Sequence, residues 1–392
     1  FYVYPSPGDS GSAVGCAQYY YYSKLNHKRV LSNSVFKGNS FNNEDQTLSP
    51  LLAGGEGLGD SHSHDGSFSE TTTASFSADF AIGAVEGKGV STTITDGDEA
   101  LQAVYGFQID LNTSFTGEDS LDISLDAGNG LGTGALGEFD LNGKFNDTDA
   151  DALSVDGVSY TFPVGDKMTV MVGDNIDGSA LFTTACVYGG PSNTMDDCGN
   201  VNAAITNGGA MVGTSIDLGR GFTTAFGWAA DEAGIGTKEK VDSYGANVAY
   251  TADNYGVSVT YGVLERLQTE DAYTAINAYY TPDGLPSISA GYEVGTLGDK
   301  AHTADETLAW FVGIGSDIGP GSFGAAFGTA GSMTEAGTGS DKSSITELMM
   351  YEAYYEYPVN DGMTVTPLVY VKEIGGTSED ETGVMVKTSF SF

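Results

Sequence analysis

Few side chains in this 392-residue chain stand at spacings that could do chemistry. Gly8-Asp9-Ser10-Gly11 matches the tetrapeptide around a trypsin-like nucleophile. Such a serine needs a histidine base and an aspartate to orient it, and nothing before it supplies them. Asp147, Asp149 and Asp151 open like a calcium loop, but Ala152 stands where the sharp turn needs glycine and Val158 where the closing glutamate belongs. His62 and His64, two apart in a Gly/Ser stretch, read as exposed side chains rather than as a metal grip. Repeated Gly-Asp pairs lack the nonapeptide period of calcium-binding solenoids, and no lysine-bearing phosphate loop or nucleophile–base pair is present. The sequence therefore predicts no catalysis, no resident metal and no cofactor. Weak Ca²⁺ or Mg²⁺ binding at acidic external loops is what remains of that reading.

A second set of acids is spaced differently. Asp110, Asp122, Asp126, Glu293, Glu352 and Glu356 each fall on the wet side of an alternating run. Successive strand side chains point to opposite sheet faces, so such a run makes one oily and one polar surface. Residues 105–112 set Tyr105, Phe107, Ile109 and Leu111 against Gln108, Asp110 and Asn112; 121–126 set Leu121, Ile123 and Leu125 against Asp122, Ser124 and Asp126. Near the end, Val384, Val386, Phe390 and Phe392 oppose Met385, Lys387, Ser389 and Ser391. A terminal strand closing on aromatic residues fits an assembly signal at Phe390 and Phe392.

Sixteen such runs follow one another from about residue 68, among them 203–216 and 347–357. Seven connections are tight and rich in Asn, Asp, Gly and Pro, the residues that short hairpins require. Eight are longer and polar, including 128–152 and 174–202, and the two kinds alternate strictly. Segregated loop lengths predict an all-β transmembrane antiparallel barrel of sixteen strands, with short turns below and long external loops above. Closing the sheet satisfies every backbone group in lipid, and a wall oily outside and wet inside needs no buried core. A secreted all-β adhesin or surface-layer-like protein is the rival reading; it has no reason to sort its loops. An exported β-rich hydrolase fares worse, because no catalytic group has partners.

Charge narrows the partners. The chain holds 53 acids against 15 bases, a net −38, which excludes nucleic acid because phosphates need Lys and Arg. Residues 1–45 hold four bases and three acids, so the excess lies wholly in 46–392. The first segment reads as an extension of unclear role and the second as the barrel domain. Acid rings with few arginines favour cations.

Several stretches resemble the barrel domain of cyanobacterial outer-membrane porins, a family related to carbohydrate-selective porins. They are FQIDLNTSFTGEDSL at 107–121, YTFPVGDKMTVMVG at 160–173, TACVYGGPSNTMDDCG at 184–199, YPVNDGMTVTP at 357–367 and VMVKTSFSF at 384–392. The resemblance implies a homotrimer embedded in lipid, a diffusion channel of the outer membrane that passes small solutes and inorganic ions. The wall-anchoring segment usual in that family is not legible in residues 1–45. In trimeric porins the third external loop folds inward, which places Asp177, Asp196 and Asp197 of 174–202 at the constriction. An oxidising compartment permits a Cys186–Cys198 bridge across that loop; two free thiols are the alternative, and Cys16 has no assigned role.

Overall fold

The computed structural model describes residues 72–87, 100–129, 138–139, 152–206, 208–237, 240–266, 269–298, 305–334, 345–375 and 380–392. Segment 1–45, His62, His64 and the Asp147, Asp149 and Asp151 acids lie outside the described residues. The described chain is all-β. Its strands are β1 (Thr72–Glu86), β2 (Gln102–Thr113), β3 (Ser120–Gly128), β4 (Ser154–Val164), β5 (Met168–Asp174), β6 (Ala210–Gly219), β7 (Phe222–Ala230) and β8 (Asp242–Thr251). They continue as β9 (Tyr255–Arg266), β10 (Thr269–Tyr280), β11 (Ser287–Thr296), β12 (Glu306–Ile318), β13 (Gly321–Thr329), β15 (Met349–Asn360), β16 (Met363–Lys372) and β17 (Glu381–Ser391). β14, Met333–Thr334, is a two-residue piece against β12, leaving sixteen long strands.

Neighbours in sequence pair antiparallel, and β1 pairs with both β2 and β17, so the sheet closes into a barrel without an edge. The alternation read from the sequence sets the faces. Val257, Val259 and Tyr261 of β9 are exposed on the outer face, while Ser258 and Thr260 between them are buried. Aromatic rings cluster where the sheet closes: Phe76 stacks on Phe392 at 5.6 Å, and Phe80 meets Phe390 edge-on at 6.0 Å. The short connections are tight hairpins. In the one after β2, Asp119 accepts bonds from the Ser114 and Thr116 hydroxyls, the Phe115 and Thr116 N–H groups, and the Tyr160 hydroxyl of β4. The Tyr160 bond, with the turn donors behind it, holds the Asp119 carboxyl well below the usual carboxylate range.

Three expectations change. The run 203–216 is not one strand: β6 begins at Ala210. Ala203 and Ile205 alternate because both are buried, not because they pair in the sheet. β15 extends past 357 to Asn360, with a register shift between Pro358 and Asn360 that lets a proline sit in the ladder. Finally, the wall is not free of a core. On the inner face Ala81 and Val85 of β1, Phe311 of β12, Ala326 of β13, Met350 of β15, Leu368 and Tyr370 of β16 and Met385 of β17 form one buried apolar cluster. Its other members, Phe139, Tyr188, Met195 and Cys198, come from the connections after β3 and β5. A closed sheet needs no core of its own, but a long connection carrying apolar side chains must bury them somewhere.

Candidate functional site

The segment between β5 and β6, residues 175–209, is bonded to the inward-facing side chains of the wall. Alternate N–H groups of one stretch reach β8, β9 and β11 in turn. Thr183 donates to Asn247 Oδ1 of β8 at 3.0 Å, Ala185 to Ser258 Oγ of β9 at 2.9 Å, and Val187 to Ser289 Oγ of β11 at 3.0 Å. Farther on, the Cys198 carbonyl accepts from Asn277 Nδ2 of β10 at 2.9 Å. The wall thus supplies side-chain partners where a sheet would supply backbone ones, and the stretch keeps its hydrogen bonds without joining the ladder.

Glycines make the approach possible. A Cβ on Gly227 of β7 would collide with the Gly178 carbonyl, and one on Gly291 of β11 with the Cys198 carbonyl. A Cβ on Gly262 of β9 would press on the Ala203 backbone, and one on Gly313 of β12 on the Tyr188 ring. Gly227, Gly262 and Gly291 form a trough across the wall in which the segment's backbone lies, and Gly313 makes room for its tyrosine. Elsewhere glycine receives an aromatic ring: Gly256, Gly295, Gly324 and Gly383 sit opposite Tyr279, Tyr273, Tyr354 and Tyr370 in register, each crowded by its tyrosine. Covering a cross-strand glycine with an aromatic side chain restores the packing that the missing Cβ forfeits.

Two acids from the sequence reading serve this seat. Glu293 of β11, 0 % exposed, accepts the Asn202 and Ala203 N–H groups and Asn202 Nδ2, all at 2.8 Å. Glu352 of β15, also buried, accepts the Tyr188 hydroxyl. Both occupy the inward register expected of them, yet lie beneath the segment rather than on an open surface. Burial, then the Glu352 charge, raises the Tyr188 hydroxyl far above its usual range.

The connection after β3 joins them. Asn193 and Thr194 donate to the Glu138 carbonyl and Oε1, and Lys372 Nζ of β16 reaches Glu138 Oε2 at 2.7 Å. Phe139 meets the Tyr370 ring edge-on at 5.3 Å. Cys186 and Cys198 are disulfide-bonded, with Cα atoms 6.5 Å apart. The bridge encloses Tyr188 and Met195, both in the apolar cluster.

The remaining acids are distributed unevenly. Asp196 is exposed and Asp197 half-buried; burial first, then the Glu293 and Glu138 charges, pushes Asp197 up to about 7. Asp177 is pushed up to about 6 by desolvation and by Asp156. On β2 and β3, Asp110 accepts from Gln108 Nε2 at 2.9 Å and Ser124 Oγ at 2.6 Å, while Asp122 accepts from Asn112 Nδ2 and Ser120 Oγ, both at 2.6 Å. Asp126 accepts from Ser154 Oγ at 3.2 Å and is buried, and Glu356 is exposed near the short-turn end of β15. The inward-facing bases Lys372 and Lys387 lie near Glu138 and Asp79, the latter pair 3.9 Å apart. Sequence reasoning missed the wall hydroxyls and amides Asn247, Ser258, Asn277 and Ser289. Their signal was present as short polar residues among glycines or, on β10, beside an alanine on one face of each run.

Three solved structures share this architecture. Pseudomonas putida OprB aligns with a TM-score of 0.58 at 11 % identity, over 82 % of this chain and 94 % of that one. An anion-selective porin from Comamonas acidovorans aligns at 0.58 and 13 % identity, over 82 % and 99 %. A loop-deletion mutant of the Vibrio cholerae outer membrane protein OmpT aligns at 0.55 and 12 %, over 82 % and 100 %. At such identities the likeness is one of fold. No family model matches the chain, and no curated protein does.

Proposed function

We propose that the protein is a passive diffusion channel of a Gram-negative-type outer membrane, admitting small hydrophilic solutes and inorganic ions and preferring cations. The observation that carries this reading is the closed sixteen-strand barrel whose outer face is apolar and whose third long connection is bonded to its inner wall. A segment held there narrows the lumen. The fold leaves the sign of the preferred ion open, since one structural neighbour is described as anion-selective. Here the inner face carries the carboxylates of Asp110 and Asp122 amid neutral donors, and Lys372 and Lys387 lie next to acids. Rings of acid favour cations.

The quoted motifs add a cyanobacterial setting and a trimer embedded in lipid, with Phe390 and Phe392 as the assembly signal. Liposome swelling with a graded series of sugars tests the channel: uptake that falls steadily with solute size is expected, and no uptake rejects it. Reversal potentials in a KCl gradient test the sign, and a chloride preference defeats it. Cross-linking in detergent tests the trimer.

A further inference from the structure

We infer that the water path through the barrel is displaced from its axis, onto the short-turn half of the wall formed by β2 to β6, and that Asp110 and Asp122 set its ion preference. The inference rests on the channel reading and deepens it. Its basis is a contrast in exposure between inward-facing positions at matching depth. Ser289 is the third residue of β11 and Ser258 the fourth of β9. Both are 1 % exposed, as is Asn247, and Asn277 and Ala275 of β10 and Ala309 of β12 are 0 %. Asp122 is likewise the third residue of β3, yet it remains partly open, as do Asp110, Ser124, Thr169 of β5 and Ser215 of β6, while Asn112 is exposed.

The cause is the seat already described. The 175–209 segment covers the inner face from β7 through β12, where glycines and short polar side chains admit it, and its Ile176 and Leu181 also lie against Gly157, Gly173 and Gly213 in the upper parts of β4, β5 and β6. The apolar cluster fills the inner face of β12, β15, β16, β17 and β1. Water and ions cannot cross a face packed in this way, because apolar contacts and satisfied hydrogen bonds leave no room for them. Farther up the opposite side, Asp126 of β3, Ser159 of β4 and Met211 of β6 are buried. Among the described residues, what stays open is the short-turn half of that side. There Asp110 and Asp122 stand with Gln108, Asn112, Ser120 and Ser124, whose amides and hydroxyls orient the carboxylates without neutralising them. Glu293 and Glu352, at the inward register too, lie outside this path.

Cysteine substitution followed by a charged methanethiosulfonate reagent tests the placement, in full-length protein carrying Cys16→Ser. Asn112→Cys and Thr169→Cys are expected to gain the reagent's mass and lose single-channel current. Ala275→Cys and Ala309→Cys, chosen because neither removes a hydrogen bond, are expected to remain unlabelled with current unchanged. Labelling and block at Ala275→Cys and Ala309→Cys, with none at the other two, overturns the inference while leaving the channel reading intact. Equal labelling at all four places the path on the axis and overturns it as well. In the second arm, Asp110→Asn with Asp122→Asn is expected to lower the potassium-to-chloride permeability ratio several-fold; an unchanged ratio overturns the role of these acids. Absence of current from the unsubstituted protein rejects the channel reading itself, and the inference with it.

Discussion

The two sides of this barrel are made of the same kind of strand and do different work. Along β7 to β12 most inward positions are glycine, alanine, serine, threonine and asparagine, with Tyr273, Glu293 and Phe311 among them, and they are covered. In the short-turn halves of β2 and β3 the inward Gln108, Asp110, Asn112, Ser120, Asp122 and Ser124 stay partly or fully open, while Gly106 and Asp126 farther up are buried. Both stretches alternate, so both obey the same strand rule. Cover separates them: one wall carries a second layer of chain, which buries even Glu293, and the other leaves its carboxylates in water.

Several perturbations would break or sharpen that contrast. The largest effect is expected at Glu293. Glu293→Ala orphans two buried N–H groups at about 1–3 kcal/mol each, and the segment should lift from the wall, admitting larger sugars in liposome swelling. Gly291→Ala is next. Its Cβ meets the Cys198 carbonyl, and overpacking of this kind costs about 1–3 kcal/mol, read as a lowered unfolding temperature in detergent. Replacing Cys186 and Cys198 by serine removes a loop constraint worth about 3 kcal/mol for a closure of this size. Noisier single-channel current, without loss of the barrel's heat-modifiable migration, is the expected result.

A pH series gives a smaller and more informative effect. Asp177 and Asp197 have carboxyls raised to about 6 and about 7. A raised acid stabilises the folded form fully below the ordinary carboxylate range and ceases to do so as pH rises through its folded value. The segment should therefore hold most firmly at pH 4 and loosen as pH rises to about 7, with no further loss above it, seen as a fall in amide protection over 175–206 once the base-catalysed intrinsic exchange rate is divided out. Protection that stays level or rises over this range would remove the two carboxyls from the account. The smallest effect belongs to the exposed Asp231–Lys240 pair after β7, 3.0 Å apart. Lys240→Ala should change stability by only about 0.2–1 kcal/mol and leave conductance alone.

How much of this the sequence disclosed follows from the same contrast. Alternation is a local property, so strands such as 105–112 and 121–126 declared both their faces and their acids. Loop lengths declared the two ends of the barrel, except at 264–271, where β9 and β10 run on until only residues 267–268 lie between them. What stayed hidden was the second layer, because its evidence lies on two stretches far apart in the chain. Ala203 and Ile205 looked like strand residues, since burial against a wall and burial in a sheet leave similar apolar patterns. Glu293 looked like a pore acid, since nothing nearby in sequence shows that the Asn202 and Ala203 amides will descend on it. The Cys186–Cys198 bridge was one of two readings left open by the sequence, permitted by the exported setting that the family resemblance implies, and the structure contains it.

The glycine trough carries a consequence for exchange of parts. A mould fits one casting: the hollows at Gly227, Gly262 and Gly291 mirror the course of a particular backbone, and the one at Gly313 a particular tyrosine ring. Another protein's third connection, spliced between β5 and β6, would meet hollows in the wrong places and asparagines offering bonds to nothing. Changing what passes through this barrel by grafting that stretch would therefore require recutting the strands that face it.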